Sequence, residues 1–242
     1  MPNYLKTYSG LSRNSNHTTV KAIHYPFHTN IHCLTTLVDP QQPRYGDFSS
    51  LGLRSQLKKK LGLKSIQWLQ QKNSTQIIQA GSTENLSADG SYTQEAHVAC
   101  AIYSADCVPV LLYNPYTKIT AALHVGWRGL VNGLLEQFMC KYGENPSAFH
   151  VMIGPCIHTN NFEVKQDFVQ LIHQQKPHMR RYLKHDHNRF YFDLRGAVQG
   201  VLSEYGVCFF NDIDLCTYQS TDFFSYRRLG QKLCQATLIW QR

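Results

Sequence analysis

One stretch constrains this chain more than any other: residues 104–129, SADCVPVLLYNPYTKITAALHVGWRG. Two apolar runs without charge, residues 107–113 and 119–125, flank the sequence Asn114-Pro115-Tyr116-Thr117. Proline at the second position suits a type I turn, so the stretch is expected to fold as a buried β-hairpin. A tight turn that faces Asn114 with Thr117 brings Cys107 opposite His124. Cross-strand neighbours on one face have Cβ atoms about 4.5–5.5 Å apart, whereas a one-residue slip would send the two side chains to opposite faces. A thiol and an imidazole are therefore expected to meet at the open end of the hairpin. Asp106 and Gly126-Trp127-Arg128-Gly129 lie beside them.

That pair supports two chemistries. The imidazole can take the thiol proton and leave a nucleophilic thiolate, or both groups can bind a soft divalent metal that needs further ligands. A buried apolar cysteine beside a hydrogen-bonded core histidine is the plainer alternative. Asp106 weighs against it, because a charge in an apolar segment needs a partner or a wet cleft. So does the glycine-bracketed WRG, whose backbone can approach a ligand and whose Arg128 can hold an anion.

SADCVPVLLYNP, HVGWRGL, IGPCI and the downstream CTY and FFSYRR occur in one order over residues 68–240. Together they resemble the laccase-domain family, first described as multicopper polyphenol oxidases and later as purine nucleoside phosphorylases with adenosine deaminase activity. Mixed strands and helices, with no internal repeat or dividing linker, argue an α+β or mixed α/β fold in a single domain of residues 1–242, and the resemblance implies a large mixed β-sheet flanked by helices. It implies a zinc site in which Cys107 and His124 are two of three ligands and also catalytic residues. The third family ligand, a histidine, aligns with Asn73, and His158 is the proposed substitute. Asp89 aligns with a family aspartate that precedes a strand. Arg128, Asp106, Tyr226 and Arg227 are expected to bind substrate and phosphate. Copper is not expected, because one cysteine and one histidine fall short of the histidine sets that copper oxygen chemistry uses.

Three functions follow as expectations. The first is phosphorolysis of adenosine or inosine, with adenosine deamination beside it. The second is a metal-free cysteine hydrolase or deamidase, suggested by Asn73. The third is a non-catalytic family member, suggested by Asn73, by the absence of an upstream Arg-Gly-Gly near Thr35, and by Lys232-Leu233-Cys234 where the family has Thr-Gly-Arg. The expected partners are a small nucleoside and phosphate. The net charge is +8, but the basic residues are scattered, so nucleic acid is not expected. No run approaches the roughly 20 apolar residues of a membrane helix. Eight cysteines without a CxxC, and no secretory signal at the start, point to free thiols in the cytoplasm.

Elsewhere, leucines at 53, 57 and 61 predict a helix over residues 51–63 ended by Gly62. Helices are also expected over 130–142, 165–175 and from Asp193 to 205, and strands over 96–103, 149–153, 190–192, 207–210 and 233–240. Residues 40–46 and 177–189 read as loops.

Overall fold

The computed structural model describes residues 6–7, 22–38, 51–81 and 86–242. The loop expected over residues 40–46, and most of the amino-terminal segment with it, falls outside them. The strands Val108–Tyr113 and Thr120–Val125 are buried along their whole length, and Val98–Ser104 nearly so. Strands covered on both faces carry continuous apolar runs instead of alternation. These belong to two six-stranded mixed sheets. The first runs Lys6–Thr7, Ala22–His28, Ile31–Thr36, Gln235–Gln241, Val98–Ser104, Ser65–Gln67; the second runs Phe209–Asp212, His150–Ile153, Val108–Tyr113, Thr120–Val125, Gly90–Thr93, Ile77–Gln79.

Successive side chains leave a strand on opposite faces, so each central strand feeds two cores. Leu111, Tyr113, Ala122 and Met152 of the second sheet meet Ile23, Cys33, Ile102 and Ile239 of the first. On the second sheet's other face, Val110, Leu112, Leu123 and Val151 pack with Leu134, Phe138, Phe168 and Val198 from the helices Leu134–Tyr142, Gln166–Gln175 and Leu194–Glu204. The first sheet's outer face, with Leu34, Ala101 and Leu238, is covered by Leu53 and Leu57 of the Leu51–Leu61 helix. The order of layers is helix, sheet, sheet, helices. The expected mixed sheet with flanking helices is present, as two stacked sheets where one large sheet was anticipated. The last strand, Gln235–Gln241, lies inside the first sheet, and its buried Thr237 hydroxyl bonds to that of Thr35 at 3.0 Å.

Four local expectations need correction. The central hairpin turns more widely than a two-residue loop. Asn114 donates its amide to Ile119 O at 2.9 Å, and its side-chain oxygen accepts from the amides of Tyr116 and Thr117 at 2.9 and 3.2 Å. Lys118 takes a left-handed φ of 59°. Tyr113 then faces Thr120, and His124 lies opposite Pro109. The slip is two residues, so parity is kept and Cys107 becomes a diagonal neighbour of His124 on the same face.

The helix expected over residues 130–142 is two helices, Trp127–Val131 and Leu134–Tyr142, because Gly133 adopts φ 89°. Residues 177–189 are not a loop: Pro177–Tyr182 forms a 3-10 turn that buries Met179, and Leu183–Asp186 pairs antiparallel with Arg189–Phe192. The strand expected at 207 starts at Phe209, because Val207 still donates its amide to Leu202 O and Gly206 takes φ 92°, closing the preceding helix. No helix among the described residues is long and apolar enough to cross a membrane.

Candidate active site

The open end of the hairpin is built by hydrogen bonds around two aspartates. Asp106 sits at φ 95°, a left-handed conformation that Asp tolerates better than most residues. Its Oδ1 accepts from the Thr217 hydroxyl and its Oδ2 from the Arg227 amide, both at 2.7 Å. Its carbonyl accepts from the Ile157 amide at 3.0 Å. The carboxylate expected to face a substrate is thus engaged by protein donors on both oxygens. It fixes the turn that aims Cys107 and ties that turn to the Tyr226–Leu229 helix.

Asp89 does the equivalent for His124. It is fully buried and directly precedes the Gly90–Thr93 strand, which pairs with Thr120–Val125. The His124 amide donates to Asp89 O at 2.7 Å, and its ring Nδ1 lies 2.9 Å from Asp89 Oδ1. The turn at residues 72–74 wraps the same carboxylate. Oδ1 accepts the Asn73 amide at 3.0 Å; Oδ2 accepts the Lys72 amide at 3.1 Å, the Ser74 amide at 2.5 Å and the Ser74 hydroxyl at 2.7 Å. Asn73 can make that turn because it holds a left-handed φ of 56°.

Burial alone would raise the Asp89 carboxyl, but the His124 ring and the Ser74 donors outweigh it and hold it below the ordinary value. Burial likewise disfavours a charged His124. Electrostatic attraction toward Cys107 is the largest opposing influence, followed by the bond to Asp89 and the hydrogen bond to Cys107, and His124 is pushed up to about 9. The result is a line of carboxylate, imidazole and sulfur: Asp89, His124, Cys107. With Nδ1 taken by Asp89, Nε2 is the ring nitrogen left for chemistry.

Gly126 closes the site. Cys107 is half-buried, and a Cβ on Gly126 would stand 3.0 Å from its Sγ and strike Asn73 Oδ1. The missing side chain therefore leaves the gap in which the Asn73 carboxamide and the Cys107 thiol approach one another. Three residues named from sequence, Asn73, Cys107 and His124, converge here. His158 does not join them. Its Nε2 lies 3.6 Å from Asp214 Oδ1, in a separate polar cavity lined also by Lys184, Asp193 and Arg195.

Arg128 is exposed, with Cζ 4.3 Å from the Trp127 ring centroid. Tyr226 is also exposed, and Arg227 donates from its side chain to Glu163 O at 2.9 Å. Arg228 is structural: its guanidinium donates to the carbonyls of Thr217, Tyr218, Ser220 and Phe223. Its position gave no signal of that, because a clamp on carbonyls leaves no residue pattern.

Zinc is the group that the resemblance implies here. A zinc centre that keeps an open position takes three thiolate, imidazole or carboxylate ligands from the protein. This site offers one thiol, one imidazole and the neutral carboxamide of Asn73, while Asp89 is committed to His124 and the 72–74 turn. Among the described residues no three His, Cys, Asp or Glu side chains gather in a way that could hold a metal. The donor set does not fit a zinc centre of that kind.

The sequence model of a family described as multi-copper polyphenol oxidoreductase laccase matches residues 52–242. The chain belongs to this family. Similar family members include purine nucleoside phosphorylase YfiH of Escherichia coli K12, 31% identical over 180 residues that cover 72% of each chain. A purine nucleoside phosphorylase of Haemophilus influenzae is 31% identical over 193 residues, 77% of this chain and 79% of that one. Among solved structures, Neisseria meningitidis protein NMB0706 superposes with a TM-score of 0.78 at 27% identity, covering 93% of this chain and 99% of its own. YlmD from Geobacillus stearothermophilus, at 21% identity, shares the fold with a TM-score of 0.78 over 95% and 98% of the two chains.

Proposed function

We propose that this chain cleaves purine nucleosides with phosphate, using the Asp89–His124–Cys107 line as its proton-handling centre. A phosphate oxygen forms the bond to the anomeric carbon of the ribose. The glycosidic carbon–nitrogen bond breaks, and its electron pair leaves on the purine. His124 gives the departing ring its proton, and Asp89 holds the imidazole in the orientation and charge state for that transfer. Arg128, exposed two residues after Gly126, supplies a cation for phosphate. No step is routed through zinc.

The observation that carries this reading is the buried Asp89–His124 bond at 2.9 Å, in a chain whose relatives bear the name purine nucleoside phosphorylase. The test is direct. Purified protein is incubated with inosine and phosphate, and hypoxanthine and ribose 1-phosphate are measured by chromatography. Product formation that vanishes in Cys107→Ala and His124→Ala is expected. Equal rates in wild type and both variants refute the proposal.

A second reading draws on the same line of groups. Carboxylate, imidazole and thiol in that order are the parts of a cysteine-nucleophile triad. In it Cys107 attacks an acyl carbon after giving its proton to His124, and the leaving amine takes that proton. A stable acyl-enzyme seen by mass spectrometry with activated esters, absent in Cys107→Ala, would favour it over phosphorolysis.

A further inference from the structure

A cavity of 550 Å³ lies beside the hairpin end, lined by Trp127, Phe162, Phe168, Leu171, Lys165 and Arg227 among others. Two of its walls are joined to the site described above. Trp127 follows Gly126, the residue facing Cys107, and the Arg227 amide is bonded to Asp106, the residue preceding Cys107. The walls combine aromatic rings with charges of both signs, Lys165 and Arg227 beside Glu163 and Asp167. Trp127 meets Phe168 edge-on at 5.2 Å between ring centroids, and the Arg227 guanidinium stands 5.3 Å from the Phe162 ring centroid. One arm of that guanidinium is fixed by the Glu163 carbonyl at 2.9 Å. A concave volume of a few hundred Å³, mainly apolar and aromatic with a few placed polar groups, is the usual form of a small-ligand site.

We propose that this cavity holds the flat heterocyclic base of the substrate, with the sugar directed toward His124 and Cys107. The inference rests on the phosphorolysis reading and adds a place for the ring. Aromatic side chains stack on bases through π-faces that every base has. A planar guanidinium presents donors suited to the carbonyl oxygen and ring nitrogen on one edge of a 6-oxopurine. The aromatic faces do not suit a sugar phosphate, which has no flat face to stack, so the two halves of the substrate separate: ring in the cavity, sugar and phosphate by Arg128.

The experiment is calorimetric titration of the whole chain with hypoxanthine and, separately, with ribose 1-phosphate. Two variants act in opposite senses: Phe162→Ala removes a stacking face, and Leu171→Trp fills the cavity. Leu171 is only partly buried, so Leu171→Trp tests the cavity even where Phe162→Ala folds poorly. Each is expected to weaken hypoxanthine binding about tenfold or more, the size of losing one base–aromatic stack, and to leave ribose 1-phosphate binding within about twofold. Hypoxanthine that does not bind wild type, or binds Leu171→Trp as tightly, overturns the subsite. The function is judged apart from it. Base binding lost in the variants, with no inosine turnover in wild type, keeps the subsite and refutes phosphorolysis. Normal turnover with unchanged KM in both variants refutes the subsite and keeps phosphorolysis.

Discussion

His124 and His158 each face an aspartate, and their surroundings make them opposites. Asp89, facing His124, is fully buried and takes donors from three backbone amides and a hydroxyl. Asp214, facing His158, is 80% exposed and already paired with Arg195 at 2.8 Å. His124 has a sulfur on its other side; His158 has the Arg195 cation nearby. His124 is therefore raised, whereas burial and then Arg195 lower His158 despite Asp214. A histidine–carboxylate contact is not by itself a proton relay. The carboxylate must be desolvated and held, and the ring's other nitrogen must have something to act on.

The hardest blow to this contrast would come from Asp89→Asn. The change keeps the shape and removes the charge that orients His124. Phosphorolysis is expected to fall about ten-thousandfold, as when the carboxylate of a catalytic triad is neutralised. Breaking a buried ion pair costs roughly 3–5 kcal/mol, and at this chain length each kcal/mol shifts Tm by about 2–4 °C. Melting should therefore drop by about 10 °C in calorimetry. A variant with near-normal rate and Tm would show that Asp89 is no more consequential than Asp214.

Next in size is a gain of metal. Asn73→His places an imidazole where the carboxamide now meets Cys107, completing a three-ligand set. Elemental analysis after zinc equilibration and gel filtration should rise from well below one zinc per chain to about one. Wild type that already carries one zinc would overturn the donor-set argument.

The two histidines should also bend stability in opposite directions. The folded pKa of His124 is raised, from 6.5 to about 9. Its contribution is fully present below pH 6.5 and is lost as pH rises through about 9, an effect on the order of 3 kcal/mol. Urea midpoints from pH 6.5 to 9.5 should fall more steeply for wild type than for His124→Asn. Parallel curves would mean that the ring carries no extra proton in the folded state.

Much of this arrangement was legible in the chain itself, for definite reasons. Apolar runs at residues 107–113 and 119–125, too short for helices and split by a Pro turn, read as buried strands, and side-chain alternation keeps a shared face for Cys107 and His124 even across a two-residue shift in register. Asn114 caused that error: its side chain caps the amides of Tyr116 and Thr117 and widens the turn, which no period-two pattern encodes. Only alignment with the family marks Asp89, because its role depends on three amides from a turn 15–17 residues earlier. The adjacency of His158 to IGPCI says nothing of direction; its amide goes to Cys216 Sγ and its ring goes to the Asp214 side. The paired strand at Leu183–Asp186 was hidden by charge, since Lys184, His185 and Asp186 are exposed and leave no apolar alternation to read.

The smallest effect sharpens the comparison from its weak side. His158 has a folded pKa below 6.5, so the unfolded chain binds the proton more readily. Its contribution is present above pH 6.5 and is lost as pH falls, the reverse of His124. His158→Gln should leave Tm at pH 7.5 nearly unchanged and flatten only the acid limb below 6.5. Asp214→Asn, which removes an exposed partner, should change stability by no more than about 0.5 kcal/mol, and neither variant should alter inosine phosphorolysis. Both expectations follow from position: an 80% exposed carboxylate shared with Arg195 is screened by water and cannot hold a proton on the ring. A loss of turnover in His158→Gln matching that in His124→Ala would mean that the polar cavity of Lys184 and Arg195 belongs to the reaction after all, and that the line through Asp89 is only half of the site.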